Sequence, residues 1–529
     1  MSVSGSLRRC TSTPTARALT VALLTGVPAA LVVAALPWVG GDLVAQRWWA
    51  GWATGHGGSP VDFGWYGGTP SASYSLLTPW LMALIGVTAC GVLGTVGGAV
   101  ATGLLLARAG ARRPAAGAAL AALTFAANQL SGRTTFGLGA ALGVLALLLL
   151  TVPGGRWWRG PAVAVAAALS GALSPVASAL IWLAAAAWLL SGGRARLRPR
   201  LVDAAWLAGG AAVPLVLMLV LGATQGISAM SDEQLISMAL AVLVMLAVLG
   251  RRPAVVSIGL LLTLVALLAI WLVTDPVGSN VTRLVLLFGV PVLVAVAPRW
   301  PLRVAVAAGL VLWLMPPLVT NDLIDVSAPR ETTHLSGLLT ELADRAPIGR
   351  VEVIPLNTHL ESEVVGAEFP LARGWLRQVD LARNPVLYDG TLDATTYRQW
   401  LLDRGVSYVA RPEARVDWPD HREARLVREG LPYLTEVWSD EHWTLYAVEG
   451  GQVLQGAADL VSSDRDGMVI EVREPGVVEV ALYWNEKLTL NGPDGCLRPA
   501  RVDGTVLLDA QETGTYRLTS RWSPSGQCD

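Results

Sequence analysis

Residues 192–200, Gly-Gly-Arg-Ala-Arg-Leu-Arg-Pro-Arg, place four arginines within seven positions between two apolar stretches. Smaller arginine groups recur at alternate connectors of the first 320 residues: Arg8 and Arg9, Arg108, Arg112 and Arg113, Arg156 and Arg159, Arg251 and Arg252, and Arg299 and Arg303. The connectors between them contain only Arg47, Arg133 and Arg283. Cationic loops are retained in the cytoplasm, so this alternation predicts a multi-pass membrane protein with a cytoplasmic N-terminus.

Eleven apolar stretches approach the length that crosses a bilayer as a helix, ~20 residues. They are residues 17–39, 82–107, 114–130, 135–152, 161–174, 177–191, 204–223, 234–249, 254–273, 283–298 and 302–319. The fifth and sixth meet at Ser174-Pro175 and form either a hairpin or one kinked element; the arginines at both ends favour the hairpin. We therefore expect an α-helical plasma-membrane domain over residues 17–320, with residues 1–16 inside and everything after residue 320 outside.

The composition agrees with a membrane protein. Hydrophobic residues make up 53% of the chain and charged residues 15%, which excludes an ordinary soluble protein. A formal net charge of −1 gives no electrostatic support for a nucleic-acid partner.

After residue 320 the composition becomes that of a soluble protein. We predict an extracytoplasmic α/β domain at residues 321–452, because residues 393–404 form an amphipathic helix beside short apolar strands. Short alternating strands separated by Gly, Pro, Asn and Asp predict a β-sandwich-like domain at residues 453–529. Cys496 and Cys528 both fall in that domain, where the compartment permits a disulfide; the alternative is two unpaired buried thiols.

The first outer loop, residues 40–81, is rich in aromatic residues and glycine. Residues 43–54 predict a short helix that lies in the membrane interface, with its tryptophan rings at the level of the lipid headgroups.

The informative polar residues lie at the outer ends of the spans. Asp42 follows the first span, Arg133 lies in a tight outer turn, and Arg283 begins the tenth span. Supporting polar residues nearby are Asn128, Asp275 and Asn280. An acidic group with two arginines suits a phosphate-linked lipid substrate, because arginine binds phosphate bidentately and a carboxylate can accept a proton from a hydroxyl. The alternative is that both arginines reach lipid headgroups and Asp42 caps the interfacial helix.

Motifs of soluble enzymes are not evident in the sequence: it has no phosphate-binding Gly-Lys-Ser/Thr loop and no zinc spacing. The five histidines are scattered, and hydrogen-bonded or surface positions are the favoured interpretation. If extended, His359, Glu361 and Glu363 would share one face of a solvated strand.

An outer Asp after the first span, interfacial aromatic residues, about eleven spans and a C-terminal outer domain resemble the GT-C superfamily of polyprenyl-phosphate-sugar glycosyltransferases. The segments 64–68, 131–133, 278–284 and 372–380 also resemble a poorly characterised group of actinobacterial multi-pass proteins. The GT-C resemblance implies Asp42 as the catalytic base, with Arg133 or Arg283 on the donor phosphate. Many such enzymes have a second acidic residue; Asp62 is the nearest candidate but lacks an adjacent acidic partner, so a divalent cation is possible but unsupported.

Residues 373–380 combine planar and polar side chains at Arg373, Trp375, Arg377 and Asp380. Such a loop can bind a glycan acceptor by stacking and bidentate hydrogen bonds. The alternative, given equal weight, is an internal Arg–Asp and Trp network that holds the loop in place.

These observations predict a cell-envelope glycosyltransferase that moves a sugar from a polyprenyl-phosphate donor to an outer-face glycan or lipid. Its partners would be membrane lipid, the lipid-linked sugar and an envelope glycan. A flippase for a lipid-linked precursor is an alternative, although the spans contain no chain of carboxylates for proton coupling. A non-catalytic envelope scaffold is a third interpretation, and the sequence does not indicate the oligomeric state.

Overall fold

The computed structural model describes residues 13–36, 40–193, 197–223, 226–251, 253–273, 276–298, 301–314, 332–500 and 505–528. Within these residues the chain divides into two compact units. The first contains the residues up to Gln46, Ser75–Leu221 and the described residues from Ile227 to 314. The second contains Arg47–Tyr74, the described residues of 222–226, and those from 332 to 528.

Helices form the first unit. In chain order they are α1 (Pro14–Ala35), α2 (Asp42–Gly55, which passes into the second unit), α3 (Thr78–Ile85), α4 (Val87–Arg108), α5 (Pro114–Leu130), α6 (Thr134–Leu150), α7 (Arg156–Leu173), α8 (Pro175–Leu190), α9 (Leu197–Val220), α10 (Asp232–Leu249), α11 (Ala254–Leu272), α12 (Arg283–Val296) and α13 (Pro301–Leu314). Their positions follow the apolar stretches of the sequence, because a helix satisfies its own backbone hydrogen bonds in an apolar environment.

Six of the described helices are long and apolar enough to cross a membrane: Pro14–Ala35, Val87–Arg108, Leu197–Val220, Asp232–Leu249, Ala254–Leu272 and Gly278–Val296. Three shorter apolar helices are Thr134–Leu150, Pro175–Leu190 and Pro301–Leu314. The protein is therefore a membrane-embedded helical protein, while the count of eleven spans stays a prediction. The predicted break at Ser174-Pro175 does separate two helices that contact each other, α7 and α8.

Glycines on α4 allow its neighbours to approach closely. A Cβ at Gly98 would lie 2.2 Å from the ring of Phe125 on α5. A Cβ at Gly94 would lie 3.1 Å from the backbone nitrogen of Leu138 on α6. Small residues at such positions let van der Waals packing hold helices together where lipid removes the hydrophobic driving force.

The tryptophans of α2 lie elsewhere than predicted. The helix forms as expected, but Trp48, Trp49 and Trp52 are buried within the second unit. Trp48 stacks on Trp65 with ring centroids 4.5 Å apart, and Trp49 stacks on Tyr74 at 6.2 Å. The headgroup position predicted for these rings is wrong, because aromatic residues later in the same loop bury them.

The second unit begins with the small hairpin β1 (Val61–Asp62) and β2 (Thr69–Pro70). A four-stranded sheet follows in the order β3-β4-β6-β5, with β3 and β4 parallel. Its strands are β3 (Val351–Val353), β4 (Tyr408–Pro412), β5 (Leu434–Ser439) and β6 (Trp443–Val448). The helices of this part are α14 (Ser336–Asp344), α15 (Leu360–Val364), α16 (Arg377–Arg383), α17 (Ala394–Asp403) and α18 (His421–Glu429).

Helix α17 shows why this part folds as the sequence predicts. Asp393 accepts hydrogen bonds from the amides of the first turn in a capping box, and Gly405 has φ of +62° just past the end. Tyr397, Trp400 and Leu401 share one face and are buried against the sheet.

The residues after Val453 form two four-stranded antiparallel sheets, β12-β13-β10-β7 and β11-β14-β9-β8. Their strands are β7 (Leu454–Gln455), β8 (Ala458–Asp464), β9 (Gly467–Val472), β10 (Gly476–Tyr483), β11 (Leu488–Asn491), β12 (Gly495–Pro499), β13 (Thr505–Ala510) and β14 (Gly514–Ser520). Alternate residues of each strand fill one apolar core, which also takes in Val61 and Phe63 of the first loop. The result is a β-sandwich.

A disulfide joins Cys496 to Cys528, so the alternative of two unpaired thiols is wrong. The amide of Cys528 also donates to the carbonyl of Leu497 at 2.9 Å, so the C-terminal segment lies along β12. Cys90 is buried on α4 as a free thiol.

Replacing both Cys496 and Cys528 with alanine should destabilise the sandwich by about 3–4 kcal/mol in the chain-entropy model, given a separation of 32 residues. The measurement is the midpoint of thermal unfolding of the full chain in lipid nanodiscs. Treatment of the wild type with a reductant should give the same loss and leave the variant unchanged. An unchanged midpoint in both cases would contradict the prediction.

Candidate functional site

Asp42 and Arg133, predicted as catalytic base and phosphate ligand, form an ion pair in the first unit. Nε of Arg133 donates a hydrogen bond to Oδ2 of Asp42 at 2.8 Å. Asp42 is the first residue of α2, and Arg133 immediately precedes α6. Their side chains are 33% and 29% exposed, so the pair is accessible rather than sealed in the interior.

The turn between α5 and α6 holds this pair in place. Gly132 has φ of +75°, and a Cβ there would lie 2.5 Å from both the carbonyl oxygen of Gly40 and the amide nitrogen of Leu43. Glycine alone permits such a backbone conformation and approach. Gln46, one turn after Asp42, donates from Nε2 to the carbonyl of Gly132. The start of α2 and this turn are therefore locked together by backbone contacts.

Two other predicted residues of the first unit, Asn128 and Arg283, contact the start of α6. Nδ2 of Asn128 donates to the carbonyl of Arg133 at 2.9 Å. Arg283 begins α12, and its Cζ lies 5.1 Å from the ring centroid of Phe136 in the first turn of α6. Asn280 precedes Arg283 by one turn; its Nδ2 is buried and has no hydrogen-bond partner within the described part of the chain.

Two further acidic candidates were predicted from the sequence. Asp275 lies outside the described residues. Asp62 is buried on β1, where Oδ2 contacts Arg465 at 2.5 Å and Oδ1 accepts from the amide of Gly64 at 2.8 Å. Burial raises the pKa of Asp62, and the pairing gives it a structural role in the second unit. Among the residues that the structure describes, no group of three or more His, Cys, Asp or Glu side chains could hold a metal ion.

A second polar cluster lies inside the second unit. The side chain of Arg373 is 3% exposed and contacts Glu352, Asp420 and Glu423 at 2.5, 2.8 and 2.6 Å. Asp380 lies 3.8 Å away. One guanidinium does not balance the charge of Glu352, Asp420 and Glu423 in a low-dielectric interior, which favours the protonated forms of these carboxylates.

The pKa values follow this imbalance. Burial raises the pKa of Glu423 to about 7, although the charge of Arg373 opposes the shift. Burial also raises the pKa of Glu352 well above its usual range and raises that of Asp420. The folded cluster therefore holds protons at pH values where exposed carboxylates have lost them.

Arg377, Asp417 and His359 form a neighbouring chain of ionic contacts. Arg377 donates to Asp417, whose Oδ2 lies 3.3 Å from Nε2 of His359. The His359 ring stacks on Trp375 with centroids 3.3 Å apart. Burial alone would lower the pKa of His359, but Asp417 and Glu361 outweigh it and raise the pKa to about 9. The extended conformation considered for this segment is wrong, because His359 is buried with φ of +56° before α15.

The residues of the predicted acceptor-binding loop therefore differ in their exposure to a ligand. Arg373 and Asp380 are buried and bonded internally, so they have no surface with which to contact a glycan. They match the internal network that the sequence left as the alternative. Trp375 and Arg377 are half-buried, and acceptor binding by these two stays a prediction.

Sequence reasoning missed the carboxylates that surround Arg373. Glu352 lies in the middle of an apolar strand, Val351–Val353, and a charge there is a signal that a buried partner exists. Asp420 and Glu423 carry no such signal, because they lie 47 and 50 residues from Arg373 in a polar segment.

Comparisons with protein-family models, curated proteins and solved structures give no match for this chain.

Gly132→Ala should disrupt the contact between α2 and the turn that carries Arg133. A Cβ would strain the positive φ and collide with backbone atoms that cannot move independently. Gly110→Ala is the matched control, because Gly110 has φ of +73° but open space around its Cβ. We expect the thermal midpoint to fall clearly more for Gly132→Ala than for the control. In the control, the positive φ alone should lower the free energy of unfolding by about 1–2 kcal/mol. Equal losses would contradict the tight contact.

Glu423→Gln should reduce the pH dependence of stability. Because folding raises the pKa of Glu423 from 4.5 to about 7, its contribution is present below pH 4.5 and lost as the pH rises through 7. The raised pKa of His359 acts in the same direction between pH 6.5 and 9, while the lowered pKa of His334 opposes it. We expect the wild-type thermal midpoint to fall between pH 5 and pH 8.

Glutamine mimics the protonated acid, so the variant should be more stable than the wild type at pH 8, by about 1–3 kcal/mol. Glu429→Gln is the control, since Glu429 is exposed at the end of the same helix. A variant with the wild-type pH profile would show that Glu423 does not hold a proton in the folded cluster.

Proposed function

We propose that this protein is a membrane glycosyltransferase that transfers a sugar from a polyprenyl-phosphate donor to a glycan or lipid of the cell envelope. The observation that carries the proposal is the accessible ion pair between Asp42 and Arg133 at the start of α2. These two residues are 91 positions apart in sequence and meet at the ends of apolar helices. Charges at such a place are costly unless they are paired or used.

Asp42 is the proposed general base. The acceptor hydroxyl attacks the anomeric carbon of the donor sugar and gives its proton to the Asp42 carboxylate as the new glycosidic bond forms. The bond between the anomeric carbon and the phosphate oxygen breaks, and polyprenyl phosphate leaves with that electron pair. The hydrogen bond from Arg133 fixes the orientation of the carboxylate, which is what a general base requires.

Arg283 and Asn280 are proposed to hold the donor phosphate. Arg283 reaches the ring of Phe136 in the first turn of α6, the helix that Arg133 immediately precedes. The buried Nδ2 of Asn280 is a hydrogen-bond donor without an acceptor in the described part of the chain, and an oxygen of the phosphate would satisfy it once neighbouring side chains move to admit the ligand. Arg133 can share its guanidinium between Asp42 and the phosphate, because it presents five N–H donors.

The predicted membrane topology is part of the same proposal. The alternating arginines predict an outer-face position for the start of α2 and for the residues after 320, where lipid-linked sugars meet envelope acceptors. This arrangement requires an odd number of spans, as the predicted eleven would provide. Trp375 and Arg377 are the remaining candidates for contact with the acceptor.

Asp42→Asn should abolish transfer while the protein stays folded. The amide retains an oxygen that accepts from Arg133 but cannot take a proton, so the rate should fall by about 10²–10⁴-fold. The measurement is release of polyprenyl phosphate from a panel of short-chain polyprenyl-phosphate pentoses and hexoses, with the protein reconstituted in liposomes and an envelope glycan extract as acceptor.

Asp232→Asn is the matched control. Asp232 also begins an apolar helix, and its Oδ1 accepts from Nε1 of Trp271, a bond that asparagine preserves. Full activity in Asp42→Asn would exclude the proposed base. Absence of release with every donor in the wild type would favour the flippase or the scaffold.

A further inference from the structure

A solvent-accessible cavity of about 200 Å³ lies within the second unit, away from the residues discussed so far. It is bounded by the end of α17 and by one face of the sheet β12-β13-β10-β7. Side chains alternate along β10: Val478, Val480 and Leu482 fill the core of the sandwich. Glu479 and Tyr483 therefore project from the opposite face and line the cavity.

Polar groups that lack protein partners converge on this cavity. The side-chain amide of Gln455 and the hydroxyl of Tyr483 make no hydrogen bond to another described residue. Glu479 uses Oε1 to accept from Thr505 at 3.0 Å and has its second oxygen for another partner. Arg404 donates from Nε and Nη2 to protein oxygens and keeps Nη1 for another acceptor. Charged and neutral hydrogen-bond donors and acceptors thus line the cavity together.

The cavity wall is held in place by arginines. Cζ of Arg383 lies 4.1 Å from the ring centroid of Tyr483, and Cζ of Arg404 lies 4.9 Å from it. Arg350 is buried beneath them and donates to the carbonyls of Arg404 and Ala481. Burial and the neighbouring arginines lower the pKa of Arg350 to about 9. Such supporting contacts reduce the ordering cost of binding.

The charges on the wall select against anionic ligands. Asp403 and Glu479 carry carboxylates and Arg404 carries a guanidinium. Two carboxylates would repel a phosphate or a carboxylate ligand, while the guanidinium offsets part of their attraction for an amine. The described residues also contain no group suited to a metal ion. The occupant that fits is neutral and carries several hydroxyl groups.

The size of the cavity restricts the occupant further. At roughly 30 Å³ per molecule, it has room for about seven waters, which is close to one monosaccharide ring. Val453 supplies an apolar surface beside the polar groups, as the carbon-bound hydrogens of a sugar require. We propose that this cavity is a carbohydrate-binding site that accepts one sugar residue of a glycan through Gln455, Glu479, Tyr483 and Arg404.

The proposal does not depend on sugar transfer at Asp42. It concerns residues of the second unit alone, and a non-catalytic protein could use the same site to hold a glycan.

The experiment is saturation-transfer-difference NMR on the full chain in lipid nanodiscs. The probes are methyl α- and β-glycosides of common hexoses and pentoses, in pyranose and furanose forms, with methyl phosphate as the ionic comparison. We expect saturable binding of at least one glycoside, with a dissociation constant in the millimolar range. Gln455→Ala and Tyr483→Phe should each weaken it by about three- to tenfold, because each removes one hydrogen bond.

Gln511→Ala is the matched control. Gln511 is exposed on the same sandwich and donates to Asp509, outside the cavity. Tyr483→Phe keeps the ring on which Arg383 and Arg404 stack, so the wall should remain folded, and an unchanged thermal midpoint checks this.

Three results would overturn the proposal: no saturable glycoside binding up to the solubility limit, binding that neither variant weakens, or stronger binding of methyl phosphate than of every glycoside. Because the assay contains no lipid-linked donor, its failure is distinguishable from a failure of the transfer reaction.

Discussion

The second unit depends on the ionic contacts that the guanidinium of Arg373 makes. It joins Glu352 of β3 to Asp380 of α16 and to Asp420 and Glu423 at the start of α18. Removing one partner of a buried ion pair leaves an uncompensated charge and costs more than the pair itself contributes. The segments that carry these residues are far apart in sequence, so the cluster selects one arrangement of them and also makes that arrangement sensitive to pH.

The first unit is organised by a different constraint. In an apolar environment each helix satisfies its own backbone, and polar side chains matter where helices start and end. The turn at residues 131–133 is such a place, because Gly132 lets the backbone of α2 approach and Asn128 bonds the carbonyl of Arg133. The ion pair between Arg133 and Asp42 is a consequence of that packing. Chemistry at this position would use a geometry that the fold has already fixed.

Local signals in the sequence were enough to predict the start and end of α17, at Asp393 and Gly405, whereas the predicted stretch 82–107 divides into α3 and α4. They also indicated that Asp42 and Arg133 would lie near one another, because both fall at outer ends of apolar stretches. The local signals failed where a residue distant in the sequence determines whether a side chain is buried. Hydropathy places Trp48 at a membrane surface, whereas stacking on Trp65 and on Arg465 buries it. Composition cannot report such a contact.

The two candidate sites differ in the chemistry that they would recognise. The pair at α2 combines a carboxylate with arginines and a buried amide, which suits a ligand with a phosphate and a reacting hydroxyl. The cavity beside Tyr483 combines two carboxylates and a guanidinium with neutral polar groups, which suits a ligand with several hydroxyl groups. A lipid-linked sugar carries both features, but a glycan distant from its lipid carries only the second. Recognition of hydroxyl groups would therefore be separable from recognition of phosphate, since each is supported by its own buried contacts.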